Sequence, residues 1–188
     1  CLQMLYGMFA VAIWDKTQQH LFIARDRLGK KPLYIYNDGN YFAFASELKA
    51  LMPLPWFRKE LRDDAIQDFF FYQYIPDPKS IFKHAHKLPP GYYLEWQHGK
   101  FHQKQYWDLS FATTTQASEE ELSYQLRELI DDAVRIRMIS DVPLGAFLSG
   151  GVDSSAVVAS MAKQSQQAVK TCAIGFDSER FDEVKYAK

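Results

Sequence analysis

Apolar and polar positions follow two different periods along this chain, and the change from one to the other divides it. Residues 7–14, 20–25, 33–36 and 41–45 carry the short, β-branched and aromatic-rich runs that predict strands. Asn37-Asp38-Gly39-Asn40 joins the last two, and Asp-Gly between such runs signals a hairpin. Ser46 to Leu51 begins as a short helix that Pro53 and Pro55 stop. Asp63 or Asp64 is placed to cap a helix running through Phe71, with Ile66, Phe69 and Phe70 on its apolar side and Pro76 and Pro78 ending it. Short strands return between Ser80 and Trp107, with turns at Pro89-Pro90-Gly91 and Gln97-His98-Gly99.

Residues 110–118 are rich in Thr, Ser and Ala, and beyond them the period becomes helical. Ser118 and Glu121 form a capping-box pattern, followed by Leu122, Leu126, Leu129, Ile130 and Ala133 on one helical face. A buried strand over Leu144–Leu148, a glycine bend, a helix to about Lys163 and a strand over Val169–Phe176 then make a βαβ unit. Such units build parallel sheets with right-handed crossovers and bind ligands at the carboxyl ends of their strands. The division expected is a first domain at 1–110, a linker at 111–118 and a second domain at 119–188.

The bend carries the candidate chemistry. Phe147-Leu148-Ser149-Gly150-Gly151-Val152-Asp153-Ser154-Ser155 places small residues where a strand gives way to a helix. Glycines at 150 and 151 permit unusual φ and let backbone N–H groups approach anionic oxygens, and the hydroxyls of Ser149, Ser154 and Ser155 add donors. A helix beginning near Asp153 adds the positive end of its dipole. A carboxylate beside phosphates needs a cation between, which makes Asp153 a candidate Mg²⁺ ligand. The plain alternative is a helix N-cap.

This is not a Walker P-loop, because no lysine occurs between Lys104 and Lys163. Ser149-Gly150-Gly151-x-Asp153-Ser154 instead resembles the PP-loop of the N-type ATP pyrophosphatases, which adenylate a substrate and expel pyrophosphate. Gly7–Asp15, Ala24–Tyr34 and Ala45–Leu51 resemble the later strands of a class II glutamine amidotransferase domain. Leu88–Leu94 and Tyr106–Leu109 resemble its closing hairpin, and Ser140-Asp141-Val142-Pro143 the lead into a synthetase strand. Taken in order, these segments resemble the glutamine-hydrolysing asparagine synthetases over nearly the whole chain.

The resemblance implies an α+β remnant of an Ntn-type class II amidotransferase domain, followed by the start of an α/β parallel-sheet PP-loop domain, as an internal fragment. It implies ATP and Mg²⁺ as cofactors, and ATP, aspartate and glutamine as small-molecule substrates. Ser149, Gly150, Gly151, Asp153 and Ser154 would hold phosphates, with Asp153 on the metal, while the main chains of Phe147 and Ile174 would meet adenine. Cys1 is not assigned as the glutaminase nucleophile. The family's cysteine is followed by Gly and an apolar residue, whereas Cys1 precedes Leu2-Gln3, so the nucleophile is expected upstream and Cys1 is read as core packing or chance. The alternatives are a related adenylating enzyme, such as a β-lactam synthetase or an amide-forming enzyme of polysaccharide modification, and a non-catalytic nucleotide-binding module.

Composition narrows the rest. With 22 basic and 23 acidic residues among 188, the net charge of −1 gives no reason to expect nucleic acid or an anionic membrane. Arg25, Arg27, Lys30 and Lys31 read as a solvated strand end or an interdomain ion-pair set. Two cysteines make no disulfide framework, Cys172 reads as a small core residue, and a reducing cytoplasm fits. Met4–Trp14 is too short to span a bilayer. His84, His86, His98 and His102 read as solvated loop residues, and Phe69, Phe70, Phe71, Tyr72 and Tyr74 as a core or interdomain surface. A homo-oligomer is compatible with the full-length protein.

Overall fold

Turn chemistry sets the first of two units, residues 1–112. The computed structural model describes residues 1–112, 114–178 and 182–187, so Thr113 of the expected linker lies outside the described residues. A 3-10 turn at Leu2–Met4 precedes β1 (Ala10–Asp15), β2 (His20–Arg25), β3 (Tyr34–Asn37) and β4 (Phe42–Ala45). Then come α1 (Leu48–Leu51), α2 (Asp63–Tyr72), β5 (Ala85–Lys87), β6 (Tyr92–Gln97) and β7 (Lys100–Gln105).

Two antiparallel sheets result, one in the order β1-β2-β6-β7 and one in the order β4-β3-β5. The β3–β4 hairpin closes where expected: Asp38 Oδ1 accepts from the backbone N–H of Asn40 and Tyr41 at 3.0 and 2.9 Å. His98 and Gly99 turn β6 into β7 with φ of 50° and 77°, the left-handed pair that suits a tight hairpin. Ile23, Leu33, Ile35, Leu88 and Leu94 make one buried cluster, and Tyr36, Leu51, Phe57, Phe82 and Ala85 make a second.

Several expectations for this unit change. Arg25 is buried, not solvated, because four hydrogen bonds satisfy most of its guanidinium. Nε donates to Lys31 O at 2.9 Å, and the two terminal nitrogens reach Gly29 O, Leu88 O and Asp77 Oδ2 at 2.6–2.8 Å. Buried Asp26 beside it accepts from the N–H groups of Leu28, Lys30 and Lys31, folding the 26–31 loop around a carboxylate. The N-cap of α2 is Arg62, which makes no side-chain cap bond, and Asp63 and Asp64 lie in the first turn, where the dipole favours them. Phe69, Phe70, Phe71, Tyr72 and Tyr74 are exposed, so within this unit they form no core; only Ala65 of α2 is buried. His86 belongs to β5 and is half-buried, and burial, reinforced by the Arg62 charge, holds its imidazole below the usual range. Cys1 is exposed and packs no core.

The second unit spans Thr113–Lys188. It contains α3 (Glu119–Arg137), β8 (Gly145–Phe147), α4 (Val152–Gln164), β9 (Lys170–Cys172) and α5 (Val184–Ala187). The capping box forms: Glu121 N–H donates to Ser118 Oγ at 3.2 Å, and Ser118 N–H donates to Glu121 Oε2 at 3.0 Å. β8 and β9 pair in parallel, Gly145 opposite Lys170 and Phe147 opposite Cys172. The element order is therefore the expected one, but β9 stops at Cys172, short of the predicted Phe176. Both strands are largely exposed, so β8 is not a buried strand here and Cys172 is not a core residue.

Polar contacts join α4 to α3, each of which also buries an apolar residue, Met161 and Val134. Asp131 on α3 accepts from Lys163 Nζ at 2.6 Å and from buried Ser160 Oγ, while Gln164 Nε2 donates to Asp131 O and Ser160 Oγ, each at 3.0 Å. The Lys163 ammonium, then the Ser160 hydroxyl, hold the Asp131 carboxyl below its ordinary range, and Asp131 raises Lys163 in turn.

Candidate functional site

The strand-to-helix bend lies at the carboxyl end of β8, on the same edge as the carboxyl end of β9, because the two strands are parallel. Leu148 N–H donates to Cys172 O at 2.9 Å and extends that pairing to the brink of the loop. Phe147 and Ile174 flank this edge and are 79% and 65% exposed.

Inside the loop the hydroxyls tie the bend together. Ser149 Oγ and Ser154 Oγ lie 3.0 Å apart, Ser154 Oγ donates to Gly151 O at 3.2 Å and accepts from Ser149 N at 3.3 Å, and Gly151 N–H reaches Ser149 Oγ at 3.4 Å. Ser155 N–H closes the first helical turn onto Gly151 O at 3.1 Å. The helix starts one residue before Asp153, at Val152, with Gly151 as N-cap. The N–H groups of the turn before Ser155 then have no intrahelical acceptor, and the dipole adds positive potential.

Three details refine the expectations. Asp153 is not the N-cap, since Gly151 holds that position. Its carboxylate is exposed in the first turn and has no hydrogen bond or ion pair among the described residues, so it is open to a cation. The two glycines also differ. Gly150 has φ +79°, but Gly151 has the ordinary values φ −75° and ψ 161° and does not need glycine's left-handed freedom.

Their surroundings differ as well. A Cβ on Gly150 would run into Tyr186 of α5, with the Tyr186 carbonyl carbon 2.9 Å and its Cα 3.1 Å away. A Cβ on Gly151 would meet only Ser149 Oγ, at 3.4 Å. Protein occupies the space beside Gly150; the space beside Gly151 is open. Sequence reasoning missed α5 altogether, because four helical residues are too few to show a period. Lys185 Nζ lies 5.0 Å from the centre of the Tyr186 ring.

Among the described residues no group of three or more His, Cys, Asp or Glu is gathered to hold a metal by protein ligands alone. Among the described residues, no helix is long and apolar enough to cross a membrane.

Both units mix α and β elements, the second with a serine- and glycine-lined bend, and each is matched by a known family. The glutamine amidotransferase domain family matches residues 1–107, so the chain belongs to that family, and the asparagine synthase family matches residues 125–188. A relative in Methanocaldococcus jannaschii is 39% identical over 193 residues, which cover 100% of this chain and 37% of that protein. Asparagine synthetase [glutamine-hydrolyzing] 1 of Bacillus subtilis is 39% identical over 185 residues, covering 98% of this chain and 29% of its own length. Amidase chry2 of Gibberella zeae is 34% identical over 174 residues, covering 88% and 25%. The chain thus spans about a third of the length of the curated relatives it matches.

Proposed function

We propose that this chain serves glutamine-dependent asparagine synthesis, in which ammonia released from glutamine attacks an aspartyl adenylate formed from aspartate and ATP. The observation that carries the reading is the order of the two family matches, an amidotransferase domain followed by an asparagine synthase segment, with Ser-Gly-Gly-Val-Asp-Ser at the head of α4 in the second. The physical logic is direct. A carboxylate is a poor electrophile, and adenylation gives it a leaving group.

In this reading the N–H groups at the start of α4 and the Ser149 and Ser154 hydroxyls hold the phosphates, and the open face of Gly151 lets the main chain close on the departing pyrophosphate. The Phe147 and Ile174 main chains flank the adenine. Asp153 would hold Mg²⁺, which neutralises phosphate charge when bound. The parallel β8–β9 pair is the start of the PP-loop sheet, and the antiparallel sheets of the first unit are part of an Ntn-type domain. The domains fall at 1–110 and 119–188, with 111–118 as linker. Two free cysteines suit a reducing cytoplasm.

A second reading keeps the chemistry and changes the acceptor carboxylate; the similarity to Amidase chry2 favours it. One experiment tests both. The full-length protein is given aspartate, ATP, Mg²⁺ and an ammonium salt, and the expected products are asparagine, AMP and pyrophosphate. ADP and phosphate as products would refute adenylation, and AMP formed only with another carboxylate would reject aspartate. No nucleotide turnover with any carboxylate, alongside ATP binding, would leave a non-catalytic module.

A further inference from the structure

Residues 138–162, which include the whole phosphate loop, contain no lysine or arginine. A triphosphate settling there would meet backbone dipoles, hydroxyls and one carboxylate, but no side-chain cation from the loop. The element seated on the loop does carry one. α5 lies with the backbone of Tyr186 against Gly150, so close that Gly150 can bear no side chain. The residue before it, Lys185, is exposed, and its ammonium rests 5.0 Å from the Tyr186 ring centre rather than in an ion pair with a described carboxylate. A cation held on an aromatic face is desolvated on one side only and keeps its N–H donors for an anion on the other.

We propose that Lys185 is a phosphate-binding cation of this site, delivered by α5 through the Tyr186–Gly150 contact. The inference rests on the reading of the 149–154 loop as a phosphate site. Acidic groups nearby set a limit that the test respects: Asp182, whose Oδ1 accepts from Val184 N at 3.3 Å, and Glu183 lie on the same segment, and Asp153 faces the site from α4. A monoanion gains little against three carboxylates, so the effect should scale with phosphate charge and fall with salt.

The experiment measures binding of ATP, pyrophosphate and adenosine to the full-length protein and to Lys185→Ala, Lys185→Arg and Lys185→Glu, in Mg²⁺ at low and at high salt. Lys185→Ala should weaken ATP and pyrophosphate about tenfold at low salt and less at high salt, leaving adenosine unchanged. Lys185→Arg should retain most of the affinity, and Lys185→Glu should lose more than Lys185→Ala. Equal affinity of parent and Lys185→Ala for pyrophosphate, or equal losses for adenosine and ATP, would overturn the proposal while leaving the phosphate site standing. A parent protein that binds neither ATP nor pyrophosphate would overturn the phosphate-site reading itself. Lys185 is exposed, so thermal unfolding of the variants should match the parent.

Discussion

Replacing each loop glycine by alanine separates what the protein needs from what the ligand needs. At Gly150, φ is +79°, and an L-residue there costs about 1–2 kcal/mol before any contact is counted. The added methyl would also overlap Tyr186, whose backbone is among the atoms it meets, so α5 must move as a unit. Gly150→Ala should therefore lower the stability of the second unit by at least that amount and loosen α5, which faster hydrogen exchange at residues 184–187 would report without any ligand. Gly151→Ala has neither problem, since φ is −75° and the closest contact is 3.4 Å. Its stability should stay within about 0.5 kcal/mol of the parent. If backbone amides close on phosphate there, ATP affinity and the AMP-forming rate should fall about tenfold or more, because a methyl group stands where an oxygen must approach. Parent-like ATP binding by Gly151→Ala would refute the ligand-facing assignment, and a parent-like exchange pattern in Gly150→Ala would refute the α5 contact.

Asp153→Asn should weaken Mg²⁺-dependent ATP binding and cost at most about 1 kcal/mol of stability, the worth of a first-turn charge, because the carboxylate has no partner among the described residues to lose; equal affinity of parent and mutant for ATP in Mg²⁺ would remove it from the metal site. Asp131 has its carboxyl held below the ordinary 3.8 by Lys163 and Ser160, so its stabilisation of the α3–α4 contact is full above the unfolded carboxylate range and is lost as pH falls through the depressed folded value; acid unfolding of Asp131→Asn should lack that component. Arg25→Ala leaves Asp77 with Lys87 as its remaining cation and takes the guanidinium donor from three carbonyls, which should cost about 1–3 kcal/mol in denaturant unfolding, with Arg25→Lys recovering only part, since one ammonium cannot span the fork. Cys1→Ala in the full-length protein should leave glutamate release from glutamine unchanged; loss of that activity would make Cys1 the nucleophile.

The sequence by itself determined the elements that rest on local chemistry. The Asp38-Gly39 and His98-Gly99 hairpins, the Ser118–Glu121 capping box and the strand–glycine–helix order around Gly150 all depend on residues within a few positions of one another, so a linear reading finds them. The Ser149–Ser154 motif was legible for the same reason. Tertiary structure decided the rest, because it depends on what arrives from elsewhere in the chain. Arg25 looked solvated until Asp77 and Leu88, more than fifty residues away, supplied acceptors. The aromatic side of α2 and the strands β8 and β9 looked buried because apolar residues usually are, but burial requires a partner layer, and among the described residues none covers them. The two adjacent glycines looked equivalent in sequence; only the seat of α5 against Gly150, thirty-five residues upstream of Lys185, showed that one faces protein and the other open space.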